Sequence, residues 1–122
     1  MRKIVSSIVL CLMFASLIVA ASVCVTPSVS VDPNPIAVNS PTTITQILTN
    51  SCNGHEKVTF WTNVESPCAG NATIEFQNVT VNGSATFNDQ FTPPCADTYT
   101  VTTTVESSPH EFTSAIATFV AQ

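Results

Sequence analysis

The chain has 122 residues, of which 9% are charged and 44% hydrophobic, with a net charge of −5. Three basic residues against eight acidic ones argue against nucleic-acid binding, which needs clustered Lys and Arg to meet phosphates. Plentiful Val, Thr and Ile argue against disorder, and the length is that of one domain.

Arg2 and Lys3 lead an apolar stretch from Ile4 to Ala21 that closes on the small residues Ala20, Ala21 and Ser22. This order of basic start, apolar middle and small-residue exit predicts a signal peptide over residues 1–22, with a mature domain over 23–122. Two alternatives stay open. The stretch is about long enough for an uncleaved membrane anchor, the one route by which this chain would touch a membrane. A lipoprotein cut before Cys24 is the other, although Val23 is bulkier than such a site wants. Without the leader, Lys57 stands alone against eight acids, and the net charge becomes −7.

Cys11 leaves with the leader, so Cys24, Cys52, Cys68 and Cys95 remain. An even number in an exported chain predicts two disulfides, with three possible connectivities. Zinc ligation would want close Cys pairs, and every gap here is longer than that.

Along the mature chain, short segments alternate in twos between Pro, Gly and Asn clusters. Ser28 to Val31 alternates and stops at Asp32-Pro33-Asn34-Pro35. Thr43 to Thr49, with Ile44 and Leu48 on one face, ends in the cluster from Asn50 to Gly54. Val58 to Val64 places Val58, Phe60, Thr62 and Val64 on one face and Trp61 on the other. Thr73 to Val81 and Ser84 to Phe91 flank Asn82-Gly83, a pair that predicts a tight hairpin. Ile74 and Phe76 are out of phase with Val79 and Val81, which predicts a bulge near Gln77-Asn78. This region also holds three N-x-S/T sequons, at Asn71, Asn78 and Asn82, expected to be exposed and open to glycosylation in a host that modifies asparagine. Beyond Thr92-Pro93-Pro94-Cys95, the residues Tyr99, Val101, Thr103 and Val105 alternate with polar partners, and Ser107 to His110 turns the chain into a last strand from Phe112 to Ala121. Roughly seven strands at this spacing predict an all-β, two-sheet sandwich.

Asp97-Thr98-Tyr99-Thr100-Val101 resembles the opening of strand F in immunoglobulin-like domains, where the Tyr hydroxyl bonds back to nearby backbone in a tyrosine corner. Val58-Thr59-Phe60-Trp61 is similar to strand C of such domains. Ala115 to Val120 resembles the closing strand of the Ig-like repeats of prokaryotic cell surfaces. Neither sheet carries a Cys at the centre of strand B or F, so the inter-sheet disulfide of antibody domains is absent from the pattern. The resemblance implies that Cys24, before strand A, and Cys52, in the B–C loop, share one end of the sandwich. Cys68, after strand C, and Cys95, before strand F, share the other. It therefore implies the pairs Cys24–Cys52 and Cys68–Cys95.

The same resemblance brings His55-Glu56 and His110-Glu111 to one end, as B–C and F–G loops. Two imidazoles with adjacent carboxylates could hold a divalent metal; equally, they are two polar loops with exposed histidines. No catalytic motif is recognisable, three glycines leave little for a phosphate cradle, and the even cysteine count leaves no thiol nucleophile. The chain is thus not expected to be an enzyme or to carry a cofactor. Trp61 is either an exposed interaction anchor or packed inward, or under a loop or glycan, if a bulge or register change reverses its face. Two functions of different class fit. One is a secreted or cell-surface recognition and adhesion module for an extracellular protein or glycan. The other is a structural subunit that assembles with copies of itself, its Cys24–Val31 strand completing a neighbour's sheet.

Overall fold

The computed structural model describes residues 23–108 and 110–122; the expected signal peptide, residues 1–22, lies outside the described residues. Seven strands follow one another: β1 Val25–Asp32, β2 Thr42–Asn50, β3 Glu56–Ser66, β4 Gly70–Val81, β5 Ser84–Phe91, β6 Asp97–Ser107 and β7 Glu111–Ala121. They form a three-stranded sheet in the order β1-β2-β5 and a four-stranded sheet in the order β4-β3-β6-β7, with antiparallel pairing throughout. After β1 the chain crosses to the other sheet, where Ile36 bonds to Val120 and Gln122 beside the end of β7.

The period-2 pattern decides which side chains meet between the sheets. At one end Val25, Leu48, Val58, Phe60, Val81 and Val105 form an apolar cluster; at the other Ile44, Val64, Tyr99, Val101, Phe119 and Ala121 form a second. Fully burying a Phe such as Phe60 or Phe119 contributes roughly 1.5–3 kcal/mol. Between the clusters lies a polar layer. Gln46, Thr62 and Thr103 are wholly buried, and the two Thr hydroxyls bond to each other at 2.8 Å. Asp89 joins the layer from β5, between Phe87 of one cluster and Phe91 of the other. Burial pushes its carboxyl up to about 6, and the Glu75 carboxylate beside it adds to the rise. The Gln46 amide and Asp89 Oδ2 are buried without a hydrogen-bond partner of good geometry.

Disulfides staple both ends. Cys24 joins Cys52 with Cα atoms 5.2 Å apart, and Cys68 joins Cys95 at 6.3 Å. Each closes a loop of 28 or 27 residues, so the chain-entropy model gives about 3.5 kcal/mol per bridge. The Tyr99 hydroxyl donates to the Cys95 carbonyl at 2.7 Å, four residues upstream, which is the tyrosine corner. Its ring stacks on Phe119 at 5.0 Å, while Asp97 Oδ2 accepts from the Cys68 amide at 3.0 Å.

Two expectations are corrected here. Asn82-Gly83 does not close a hairpin: β4 pairs with β3 and β5 with β2, so the turn carries the chain from one sheet to the other. The tight hairpin turn needs positive φ at both central residues, and only Gly83, at 78°, has it. Asn50 fixes this crossover, its backbone amide donating to the Gly83 carbonyl and its Nδ2 to the Val81 carbonyl. The bulge is not at Gln77-Asn78 but at Ile74. Thr62 faces Glu75 and Asn63 faces Thr73, leaving Ile74 as the extra residue, packed against the second cluster.

Candidate interaction face

Inward positions of β3 are Val58, Phe60, Thr62 and Val64, so the pleat sends Lys57, Thr59, Trp61, Asn63 and Glu65 to the outer face of the four-stranded sheet. The register then decides Trp61's neighbours. Phe76 stands directly opposite it on β4 and Thr104 on β6, with Ser114 of β7 beyond. In the adjacent row Asn78, Thr59, Glu106 and Phe112 line up. Trp61 stacks on Phe76 with centroids 6.0 Å apart and meets Phe112 edge-on at 6.4 Å.

Trp61 is half-buried by these neighbours, whereas Phe76 is 64%, Phe112 57% and Ile116 66% exposed. Three adjoining aromatic rings and an isoleucine on a solvent face form an apolar patch rather than scattered single residues. Around it the sheet is hydroxyl- and amide-rich, and those groups bond to each other. Thr59 donates to Asn78 Oδ1, Thr73 donates to Asn63 Oδ1 at 2.7 Å, and the Thr104 and Ser114 hydroxyls lie 3.1 Å apart. The face is therefore a stiff platform whose aromatic rings run from Phe76 on one edge strand across Trp61 to Phe112 on the other. At its edge a shallow groove of about 650 Å³ runs between Lys57, Asn78, Thr80, Glu106 and His110.

No protein-family model and no curated protein sequence matches the chain. Solved structures do resemble it. The CARDB domain of a Pyrococcus furiosus protein superposes with a TM-score of 0.65 at 11% identity, over 80% of this chain and 87% of that one. The alkylpurine DNA glycosylase AlkC of Pseudomonas fluorescens gives 0.57 at 10%, over 80% of this chain but 30% of its own. The superoxide reductase neelaredoxin of Ignicoccus hospitalis gives 0.52 at 9%, over 80% of each chain. The shared property is the fold, an immunoglobulin-like β-sandwich. Identities this low carry no activity from one protein to another.

The remaining site residues take up these places in the sandwich. His110, at a φ of 71°, ends the β6–β7 turn with its Nδ1 3.2 Å from Glu106 Oε2. His55 is exposed in the β2–β3 loop and does not line the groove that His110 borders. Among the described residues, no group of three or more His, Cys, Asp or Glu side chains is placed to hold a metal ion. Asn71, Asn78 and Asn82 are all exposed; the first two lie on the outer face of β4 and the third in the crossover turn. Sequence reasoning singled out Trp61 but missed Phe76, Phe112 and Ile116 as its companions. For Phe76 a signal existed, since its phase break from Val79 and Val81 puts it on the opposite face. For Phe112 and Ile116 none did, because their adjacency to Trp61 depends on β6 and β7 pairing.

Proposed function

We propose that the mature chain is an exported, non-enzymatic recognition and adhesion module that engages a protein on the outside of the cell through the outer face of β4-β3-β6-β7. It would act in the manner of the Ig-like repeats of prokaryotic cell surfaces. The observation that carries this reading is the exposure of Phe112 and Ile116 on the outer face of β7, with Trp61 edge-on behind Phe112. Aromatic anchors on a rigid, flat surface are what protein interfaces are built on. Ile116, exposed on the same face of β7 as Phe112, adds aliphatic surface, which suits a protein partner better than a sugar. Two disulfides support an oxidising, extracellular setting. The polar groups of the face are bonded to one another rather than converging on a reaction centre, which supports binding over catalysis.

The competing reading, a subunit that lends Cys24–Val31 to a neighbour, would have to release a strand that pairs along its length with β2 and is tied to it through Cys52. The test is binding of the labelled mature protein to intact source cells, read by flow cytometry. Phe112→Ser and Ile116→Ser should lower binding at least about tenfold, as loss of anchor residues does. Thr26→Ser, on the opposite sheet, should leave it unchanged. Protease treatment of the cells should abolish binding and periodate should spare it. Equal binding by all variants would refute the assigned face.

A further inference from the structure

Residues two apart on a strand share a face and lie about 7 Å apart. Phe76 and Asn78 are such a pair on β4, and Asn78-Val79-Thr80 is a sequon. Phe76 is 64% exposed, with Trp61 stacked beside it on the neighbouring strand. The Thr59 hydroxyl engages Asn78 Oδ1, so the nitrogen end of the amide is the end left for modification. Asn71 lies on the same face, but opposite Glu65, four residues along β3 from Trp61. Asn82 lies in the crossover turn.

We propose that Asn78 carries an N-linked glycan whose first sugars pack on the rings of Phe76 and Trp61, making this half of the aromatic platform the seat of the chain's own carbohydrate. In the attachment step, Asn78 Nδ2 forms a bond to the anomeric carbon of a lipid-linked oligosaccharide. The bond from that carbon to the polyprenyl phosphate or pyrophosphate breaks, the leaving group takes its electron pair, and the amide loses one proton. The C–H face of a pyranose is apolar and fits the face of an aromatic ring. A sugar tethered one residue pair away is present at high effective concentration, which no free ligand matches. Covering Phe76 and Trp61 also removes exposed apolar surface that would otherwise promote association. Phe112, Ile116 and Val120, toward β7, remain open, so the glycan confines a partner to that side of the sheet. The inference rests on export, which is part of the proposed function, and not on the identity of a partner.

Trp61 is the chain's single tryptophan, so acrylamide quenching of its fluorescence reports cover over the platform directly. The exported protein from its source is compared with Asn78→Gln and Thr80→Val, which remove the sequon from either side, and with Asn71→Gln. Glycopeptide mass spectrometry should find sugar on Asn78. The quenching constant should rise at least about twofold in both sequon variants, as for a ring passing from covered to open, and stay unchanged in Asn71→Gln. An exported chain with unmodified Asn78, or equal quenching with and without its glycan, overturns the proposal. Protection of Trp61 that persists in Asn78→Gln and grows with protein concentration also overturns it, by showing that a second copy covers the platform. A chain that keeps Met1 and stays inside the cell sinks the export reading itself, and this site with it.

Discussion

Asp89 stands where four strands of the core turn polar together, beside the buried amide of Gln46 and the carboxylate of Glu75. Its carboxyl rises from 3.8 to about 6, first because burial penalises the charged form, then because the protonated form shares a hydrogen bond with Glu75, whose charge also repels it. In the folded state Asp89 therefore holds its proton more tightly than in the unfolded chain. Its contribution to stability is intact below about pH 4 and declines as pH rises toward 6. Asp89→Asn keeps the shape and removes the charge. This variant should unfold at higher denaturant than the parent at pH 7, equal it at pH 3.5, and lose part of the parent's decline between those values. Urea titrations across that range measure it, and an Asn variant less stable at pH 7 would contradict the assignment. No sequence pattern announces this layer. Gln46, Thr62, Thr103 and Asp89 each look like an ordinary polar residue in a separate strand; only the register sets Thr62 opposite Thr103 and places Asp89 diagonal to Gln46, two residues beyond the Phe87 that faces it.

The strands themselves were readable, because alternation survives in all but β4, where the bulge at Ile74 breaks it, and Pro, Gly and Asn mark their ends. The inward set of β3 follows directly from Val58, Phe60 and Val64, and with it the outward Trp61. What alternation could not supply was partnership. β4 and β5 are joined by a strong hairpin signal, yet they pair with β3 and β2 in opposite sheets, so that the inner face of each sheet is covered by the other. Local turn propensity lost to tertiary packing. The crossover still depends on the glycine: Gly83 has a φ of 78°, and a Cβ placed there would meet nothing within 4 Å. Gly83→Ala should therefore cost about 1–2 kcal/mol from the left-handed backbone alone, without a steric clash. Asn82→Ala should cost much less, since Asn82 has no positive φ to hold. Denaturant unfolding of the two variants separates these effects, and an equal cost would contradict the crossover geometry.

At the scale of the whole molecule, two disulfides, a tyrosine corner and two apolar clusters place matching staples at opposite ends of one sandwich. The four-stranded sheet is left with an outer face on which Trp61 of β3 and the exposed apolar residues of the edge strands β4 and β7 stand among hydroxyls and amides. β1 is paired with β2 over eight residues and anchored by Cys24, and the proposed function accordingly makes the domain a self-contained binder rather than a link in a filament. The most direct test is analytical ultracentrifugation of the exported protein at high concentration, with negative-stain electron microscopy of the same sample. A monomer without filaments is the predicted result. Filaments or rings in which β1 of one copy completes the sheet of the next would contradict it.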